Sequence, residues 1–149
     1  MENNFVVSVV IATRNRAESL RDTLASLTRQ SRKPDEVVVV DNASSDHTRD
    51  IALSFVDRLN LKYVYEATRG IPHARNAGIQ NSSGDIVAFI DDDCVADEDW
   101  LRHLEIPFVK DPHIGVVGGE ISYFKVGDDM LEAFYIQNMT SGQRTDSKR

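Results

Sequence analysis

Short runs rich in Val and Ile alternate with stretches of helical periodicity along most of this chain, and that alternation limits the fold more than any other feature. The apolar runs are Val6 to Ile11, Glu36 to Val40, Leu61 to Tyr65, Ile86 to Ile90 and Ile114 to Val117. Between them fall the helical patterns Ala17 to Gln30, Asp46 to Val56, Pro72 to Gln80 and Trp100 to Val109. A βαβα order is satisfied most economically by a parallel sheet, because each crossover helix can lay its apolar stripe against it. Continuous Val/Ile runs suit strands buried on both faces. The expected fold class is α/β, a Rossmann-like, mostly parallel sheet with helices on both faces.

The size of the chain agrees with one such domain. Its 149 residues, 41% hydrophobic, are enough for a single core without cross-links. Cys94 is the only cysteine, and His47, His73, His103 and His113 are scattered, so a disulfide or zinc framework is excluded. The net charge of −7 argues against duplex nucleic acid as a partner, which would need clustered Lys and Arg. No positively charged segment precedes Phe5 to Ala12, and no apolar run reaches membrane-spanning length, so the expected location is cytoplasmic. Sequons at Asn42, Asn81 and Asn138 are then chance matches.

Local signals place the helix ends. Asn15 with Glu18 three residues on predicts a capping box, after which Leu20, Leu24 and Leu27 share one face. Ser45 is placed to cap the second helix, and Gly70-Ile71-Pro72 opens the third with proline in the first turn, where its missing N–H costs nothing. Ala74, Ala77 and Gly78 make that helix thin enough to approach the sheet or a ligand closely. Trp100, Leu101, Leu104 and Phe108 have helical spacing and read as core. The domain is expected over 1–127, followed by an amphipathic helix over 128–139 (Met130, Leu131, Phe134, Tyr135, Ile136, Met139) and a disordered polar tail over 140–149.

Chemistry is most densely written at Asp91-Asp92-Asp93, directly after the run Ile86 to Ile90. Open α/β sheets bind ligands at the carboxyl ends of their strands. Three adjacent carboxylates repel one another unless a cation is near, and oxygen donors of this kind suit Mg²⁺ or Mn²⁺ shared with phosphates. The bland alternative is a solvated acidic turn. Asp41 ends the second run in the same way, where a carboxylate can accept from a base or ribose or merely organise the turn. Thr13-Arg14-Asn15-Arg16 follows the first run, and Arg75 lies early in the third helix, where a guanidinium can neutralise a diphosphate. A surface ion pair is the preferred reading for Arg16 but not for Arg75. Glycine fingerprints of NAD enzymes and P-loop NTPases are missing. His73 reads as exposed and Cys94 as a small buried filler.

Four blocks, in order, resemble the signatures of family-2 glycosyltransferases of the GT-A fold: Ser8-Val-Val-Ile-Ala-Thr13-Arg-Asn15-Arg; Val-Val-Val-Asp41-Asn-Ala-Ser44-Ser-Asp46-x-Thr48; Gly70-Ile-Pro-x-Ala-Arg75-Asn76-x-Gly78-Ile; and Ala-Phe-Ile-Asp91-Asp92-Asp93. The resemblance runs from about residue 5 to Gly119. It implies a GT-A-like sheet and a nucleoside-diphosphate-sugar donor site formed by Ala12, Thr13, Arg14, Asp41, Arg75, Asp91 and Asp92. Ala12 and Thr13 would line the base pocket, Asp41 would accept from the imide N–H of a uracil-like base, and Arg75 would lie near the diphosphate. Asp91 and Asp93, the ends of an Asp-x-Asp motif, would ligate Mn²⁺ or Mg²⁺, and Glu66 would help shape the pocket.

The same resemblance implies metal-dependent transfer with inversion, UDP-type donors preferred, to a sugar, lipid or protein acceptor. Such transfer needs a carboxylate base for the acceptor hydroxyl. Glu120, Asp128, Asp129 and Glu132 are available by type, but none stands in a matching motif, so the chain reads as the donor-binding portion of a longer enzyme, a truncated gene product, or a short homologue completed by a partner. Two other readings stand beside it: a non-catalytic nucleotide-sugar-binding module, and a Mg²⁺-dependent phosphatase of the haloacid-dehalogenase type, whose Asp-x-Asp nucleophile motif Asp91 to Asp93 also fits. In either transferase or module, Met130 to Met139 would dock on a partner subunit, a second copy or the inner face of a membrane.

Overall fold

The computed structural model of the chain describes residues 5–126 and 129–141. Four parallel strands form the main sheet in the order β3-β2-β1-β4: β1 (Val7–Thr13), β2 (Glu36–Asp41), β3 (Leu61–Tyr65) and β4 (Ile86–Phe89). The crossovers are α1 (Ala17–Thr28), α2 (Thr48–Leu53) and α3 (Ile71–Gln80); α4 (Trp100–Lys110) follows the sheet. This is the mostly parallel, helix-covered architecture expected from the alternation of apolar runs.

Side-chain alternation divides the core between the two faces. Val9, Ile11, Val37 and Val39 meet Leu20, Leu24 and Leu27 of α1, Ile51 and Ala52 of α2, and Trp100, Leu101 and Leu104 of α4. The opposite residues, Val10, Val38 and Val40, meet Ala74 and Ala77 of α3, with Ala12, Val64 and Val87 packed alongside. Each fully buried Leu of α1 contributes about 1.5–3 kcal/mol by leaving water. Phe108 and Phe5 pack in a T-shaped pair, with ring centroids 6.4 Å apart.

Register brings the carboxyl ends of the strands level. Thr13 pairs with Asp41, and Asp41 with Tyr65. β4 pairs with β1 only as far as Val10–Phe89, so Asp91 to Asp93 emerge beside the end of β1.

The helix starts differ from expectation. Arg16 is the N-terminal cap of α1 and His47 that of α2, neither with a capping side-chain bond. Asn15 instead lies at φ +52° and accepts at Oδ1 from Ser45 N–H at 2.7 Å, while Ser44 Oγ accepts from Asn15 N–H at 2.9 Å. Asp46 Oδ2 accepts from Ala17 N–H at 3.2 Å. Polar residues read as local caps thus clip the β1–α1 loop to the β2–α2 loop, and α2 is shorter at both ends than its sequence pattern. Gly70 opens α3 at φ +133°, a conformation L side chains rarely adopt.

The larger correction falls near the C-terminus. The helix expected over 128–139 is a strand, β7 (Asp129–Ser141), antiparallel to β6 (Val117–Val126). β5 (Cys94–Val95) pairs parallel to β7, making a second sheet in the order β5-β7-β6. Phe134-Tyr135-Ile136 is a good strand segment once backbone partners exist on both sides, and such pairing overrides helical spacing. The helical docking face proposed at Met130 to Met139 therefore does not form. Thr140 and Ser141 belong to β7, while the remainder of the expected tail, 142–149, lies outside the described residues.

Glu36 fastens the start of β2 to the α3–β4 loop. Its Oε1 accepts from Ser8 Oγ, Ser83 N–H and Ser83 Oγ. Burial pushes the Glu36 carboxyl up, but these hydrogen bonds outweigh it and hold it below its ordinary value of 4.5. A depressed carboxylate stabilises the fold above its unfolded pKa, and that contribution disappears as pH falls through the folded value. We expect Glu36→Ala to cost about 1–2 kcal/mol at pH 7. In paired urea titrations the difference from wild type should shrink below about pH 4.5; a pH-independent cost would mean that Glu36 acts through packing.

Candidate functional site

A cleft of about 330 Å³ opens at the carboxyl ends of the central strands. Ala12 and Thr13 come from the end of β1, Arg14 and Arg16 from the loop after it, Asn42 from the end of β2, Ile71, Ala74 and Arg75 from α3, and Asp91 to Asp93 from the segment after β4. The position follows from the topology: β1 and β4 are adjacent in the sheet, so the segments that leave their carboxyl ends lie side by side, with α3 covering the other face.

The acidic segment is held from behind by α1. Ser26 Oγ accepts from Ala96 N–H at 3.0 Å, and Gln30 Oε1 accepts from Leu101 N–H at 3.0 Å, satisfying a first-turn donor of α4. The three carboxylates then differ sharply in environment. Asp91 and Asp93 side chains are 65% and 31% exposed, whereas that of Asp92 is only 10% exposed. Burial pushes the Asp92 carboxyl above the usual aspartate value, with Asp93 and Asp91 acting in the same direction and the Thr13 hydroxyl and then Arg16 opposing them.

Arginines already screen these charges. Arg16 Nη1 lies 2.7 Å from Asp93 Oδ2 and 3.4 Å from Asp92 Oδ1, and Arg75 Nη2 lies 3.4 Å from Asp91 Oδ1. Arg16, read from the sequence as a surface ion pair, does form ion pairs, but with the acidic motif itself. No local signal could have found those partners, since they lie 76 and 77 residues away.

Donor atoms of Asp91, Asp93 and Cys94 lie within 4.8 Å of one another. The Cys94 thiol is pushed up to about 12 by burial and by the neighbouring carboxylates, and its sulfur is a soft donor that Mg²⁺ or Mn²⁺ takes less readily than carboxylate oxygen. The usable donors are carboxylate oxygens, the set that suits Mg²⁺ or Mn²⁺ with phosphate and water completing the shell. The acidic motif therefore fits a divalent cation, through Asp91 and Asp93.

Asp41 stands apart from the cleft lining. It is 3% exposed; its Oδ2 accepts from Tyr63 Oη at 2.7 Å and its Oδ1 from Ser44 N–H at 2.9 Å. Burial and Asp41 together drive the Tyr63 hydroxyl well above its ordinary value, so it remains a donor. Asn42, the next residue, does line the cleft and was missed. Its Nδ2 donates to the Glu66 and Thr68 carbonyls at 3.1 and 2.7 Å, and its Oδ1 accepts from Gly70 N–H at 2.7 Å, which fixes the loop leading into α3 and hence Arg75. Glu66 lies in that loop, where its Oε1 accepts from Thr68 N–H at 2.7 Å, and it does not line the cleft. Thr13 Oγ1 is buried and acts on the Asp92 carboxyl, favouring its charged form.

With this geometry in place, comparison with known proteins is decisive. The family described as "Glycosyl transferase family 2" matches residues 8–147. The chain belongs to that family. Among curated relatives, glycosyltransferase AglE of Haloferax volcanii is 36% identical over 122 residues, covering 78% of this chain and 40% of AglE. Validoxylamine A glucosyltransferase of Streptomyces hygroscopicus subsp. limoneus is 41% identical over 101 residues, 65% of this chain and 22% of that enzyme. The mannosyltransferase PcManGT of Pyrobaculum calidifontis, solved with GDP-Man and Mn²⁺, superposes with a TM-score of 0.70 at 30% identity, covering 76% of this chain and 35% of that one. S. aureus TarS 1–349 with UDP-GlcNAc gives 0.63 at 30% identity, covering 74% and 32%. The sheet is thus that of GT-A family-2 glycosyltransferases, and the chain spans less than half the length of these relatives. Family membership also counts against the phosphatase reading, whose motif belongs on an early strand rather than after β4.

Proposed function

We propose that this cleft binds a nucleoside-diphosphate sugar together with Mn²⁺ or Mg²⁺, and that the chain is the donor-binding part of a glycosyltransferase. The observation that carries the reading is the meeting of Asp91, Asp92 and Asp93 with Arg14, Arg16 and Arg75 in one cleft at the ends of parallel strands. Carboxylates alone suit a cation and arginines alone suit an anion; both together suit a metal-bound diphosphate. The GDP-Man and Mn²⁺ bound to PcManGT, and the UDP-GlcNAc bound to TarS, support the same class of ligand.

In this reading Ala12 and Thr13 form the wall against which the nucleoside lies. Asp41, oriented by Tyr63 and Ser44, retains lone pairs for the imide edge of a uracil-like base, the reason for preferring UDP donors. Reaching them requires the base to enter beyond the cleft lining. Arg75 and Arg14 neutralise the diphosphate, while Asp91 and Asp93 hold the cation. A bound divalent cation supplies Lewis-acid stabilisation of the departing diphosphate. Single displacement with inversion needs a base facing the acceptor. Among the candidates by type, Asp128 and the side chains of Glu120, Asp129 and Glu132 lie outside the described residues.

Calorimetric titration with UDP, GDP and dTDP, with and without Mn²⁺, tests the proposal. Metal-dependent binding of one nucleotide is expected; absence of binding by the folded chain would overturn it. Nucleotide binding without sugar release from any nucleotide-sugar would mark the chain as a binding module.

A further inference from the structure

The cleft carries its own counter-ions. Arg14, Arg16 and Arg75 offset Asp91, Asp92 and Asp93, so the formal charges of its lining cancel. The shortest of these ion pairs joins Arg16 to Asp93 at 2.7 Å, and Asp93 is one of the two carboxylates suited to a divalent cation. A cation entering alone must separate that pair and leaves the cleft doubly positive. A diphosphate entering alone meets three carboxylates and leaves it negative. Entering together, a divalent cation and a doubly charged diphosphate leave the lining as neutral as before, and the displaced guanidinium has a new anion within the same cleft. Arg16 is suited to such an exchange: its side chain is 53% exposed, it stands at the start of α1 without a capping bond, and its planar fork matches phosphate oxygens.

We propose that Arg16 is a diphosphate-binding residue held in reserve, occupying Asp93 until a divalent cation takes that carboxylate and then turning to the diphosphate of the nucleotide. The inference rests on the donor-site reading above. Its consequence is positive coupling: cation and nucleotide each bind more tightly when the other is present, partly because Arg16 changes partner.

Titration calorimetry on wild type, Arg16→Ala and Arg16→Lys tests this, using Mn²⁺ alone, then GDP and UDP each with and without Mn²⁺. Arg16→Ala should bind Mn²⁺ alone about fivefold more tightly, the scale of a half-exposed ion pair. Its coupling factor between Mn²⁺ and nucleotide should fall by a similar amount, with Arg16→Lys between the two. Melting curves establish that the variants are folded. Unchanged Mn²⁺ affinity in Arg16→Ala would overturn the proposal, as would tighter Mn²⁺ binding with undiminished coupling. If wild type binds neither ligand, the donor-site reading fails and the exchange falls with it; if wild type binds both and Arg16→Ala matches it, the exchange alone is wrong.

Discussion

Replacing Asp93 with Ala should lower Mn²⁺-dependent nucleotide affinity by roughly 100-fold or more while leaving the fold intact, because even residues that merely support metal ligands are worth 10–100-fold. The argument begins with the short ligand list. Cys94 offers only a soft sulfur donor and Asp92 is buried, which leaves Asp91 and Asp93 as the carboxylates able to share a cation. A site with one remaining carboxylate holds Mn²⁺ little better than a surface aspartate does. Folding is spared because Asp93 is a third exposed and its partner Arg16 half exposed, so their ion pair contributes little to stability. Asp93→Asn is the companion variant, keeping volume and removing charge. Retention of wild-type affinity by either variant in the presence of Mn²⁺ would refute the assignment of Asp93.

The second large effect belongs to a residue with no functional group. Gly78 of α3 lies against β1 so closely that a Cβ placed there would sit 2.3 Å from Val10 Cγ1. An exposed helical Gly→Ala change usually gains about 1 kcal/mol of helix propensity. Here that gain is outweighed, because Val10 is fully buried in the central strand and its branched side chain is stiff. Overpacking of this kind costs about 1–3 kcal/mol, so Gly78→Ala should lower Tm by roughly 3–10 °C in a domain of this size. The strain has a functional consequence too, since pushing α3 outward moves Ala74 and Arg75, which line the cleft. Adding Val10→Ala should recover much of the loss by removing the opposing methyls. A melting temperature equal to or above that of wild type in Gly78→Ala would show that α3 does not approach β1 this closely.

These two residues show how differently the molecule can be read. Asp93 was legible because its signal is local: three consecutive carboxylates after an apolar run. The thin face of α3 was also legible as Ala74, Ala77 and Gly78, although the sequence could not say whether it served the sheet or a ligand. The structure answers that Ala74 and Ala77 pack on Val10, Val38 and Val40, while Ala74 also reaches the cleft. Asn15 and Ser45 were misread for a physical reason: their side chains can bond equally well to their own helix or to another loop, and the closeness of the two loops decided for the second.

The sequence by itself determined the alternation of strands and helices, the parallel sheet, and the carboxyl ends of strands as the place where Thr13, Asp41 and the acidic motif would gather. Those properties follow from hydrophobic periodicity and residue type, which act over a few residues. Only the tertiary structure decided that Arg16 would face Asp92 and Asp93, that Asn42 rather than Asp41 would line the cleft, and that Asp129–Ser141 would be a strand. Each depends on partners distant in sequence: carboxylates across the sheet, carbonyls of another loop, and the backbones of β5 and β6. An apolar stretch such as Met130 to Met139 carries spacing compatible with a helix, but backbone hydrogen bonding to neighbouring strands is a stronger constraint than spacing, and it exists only once the chain has brought those strands together.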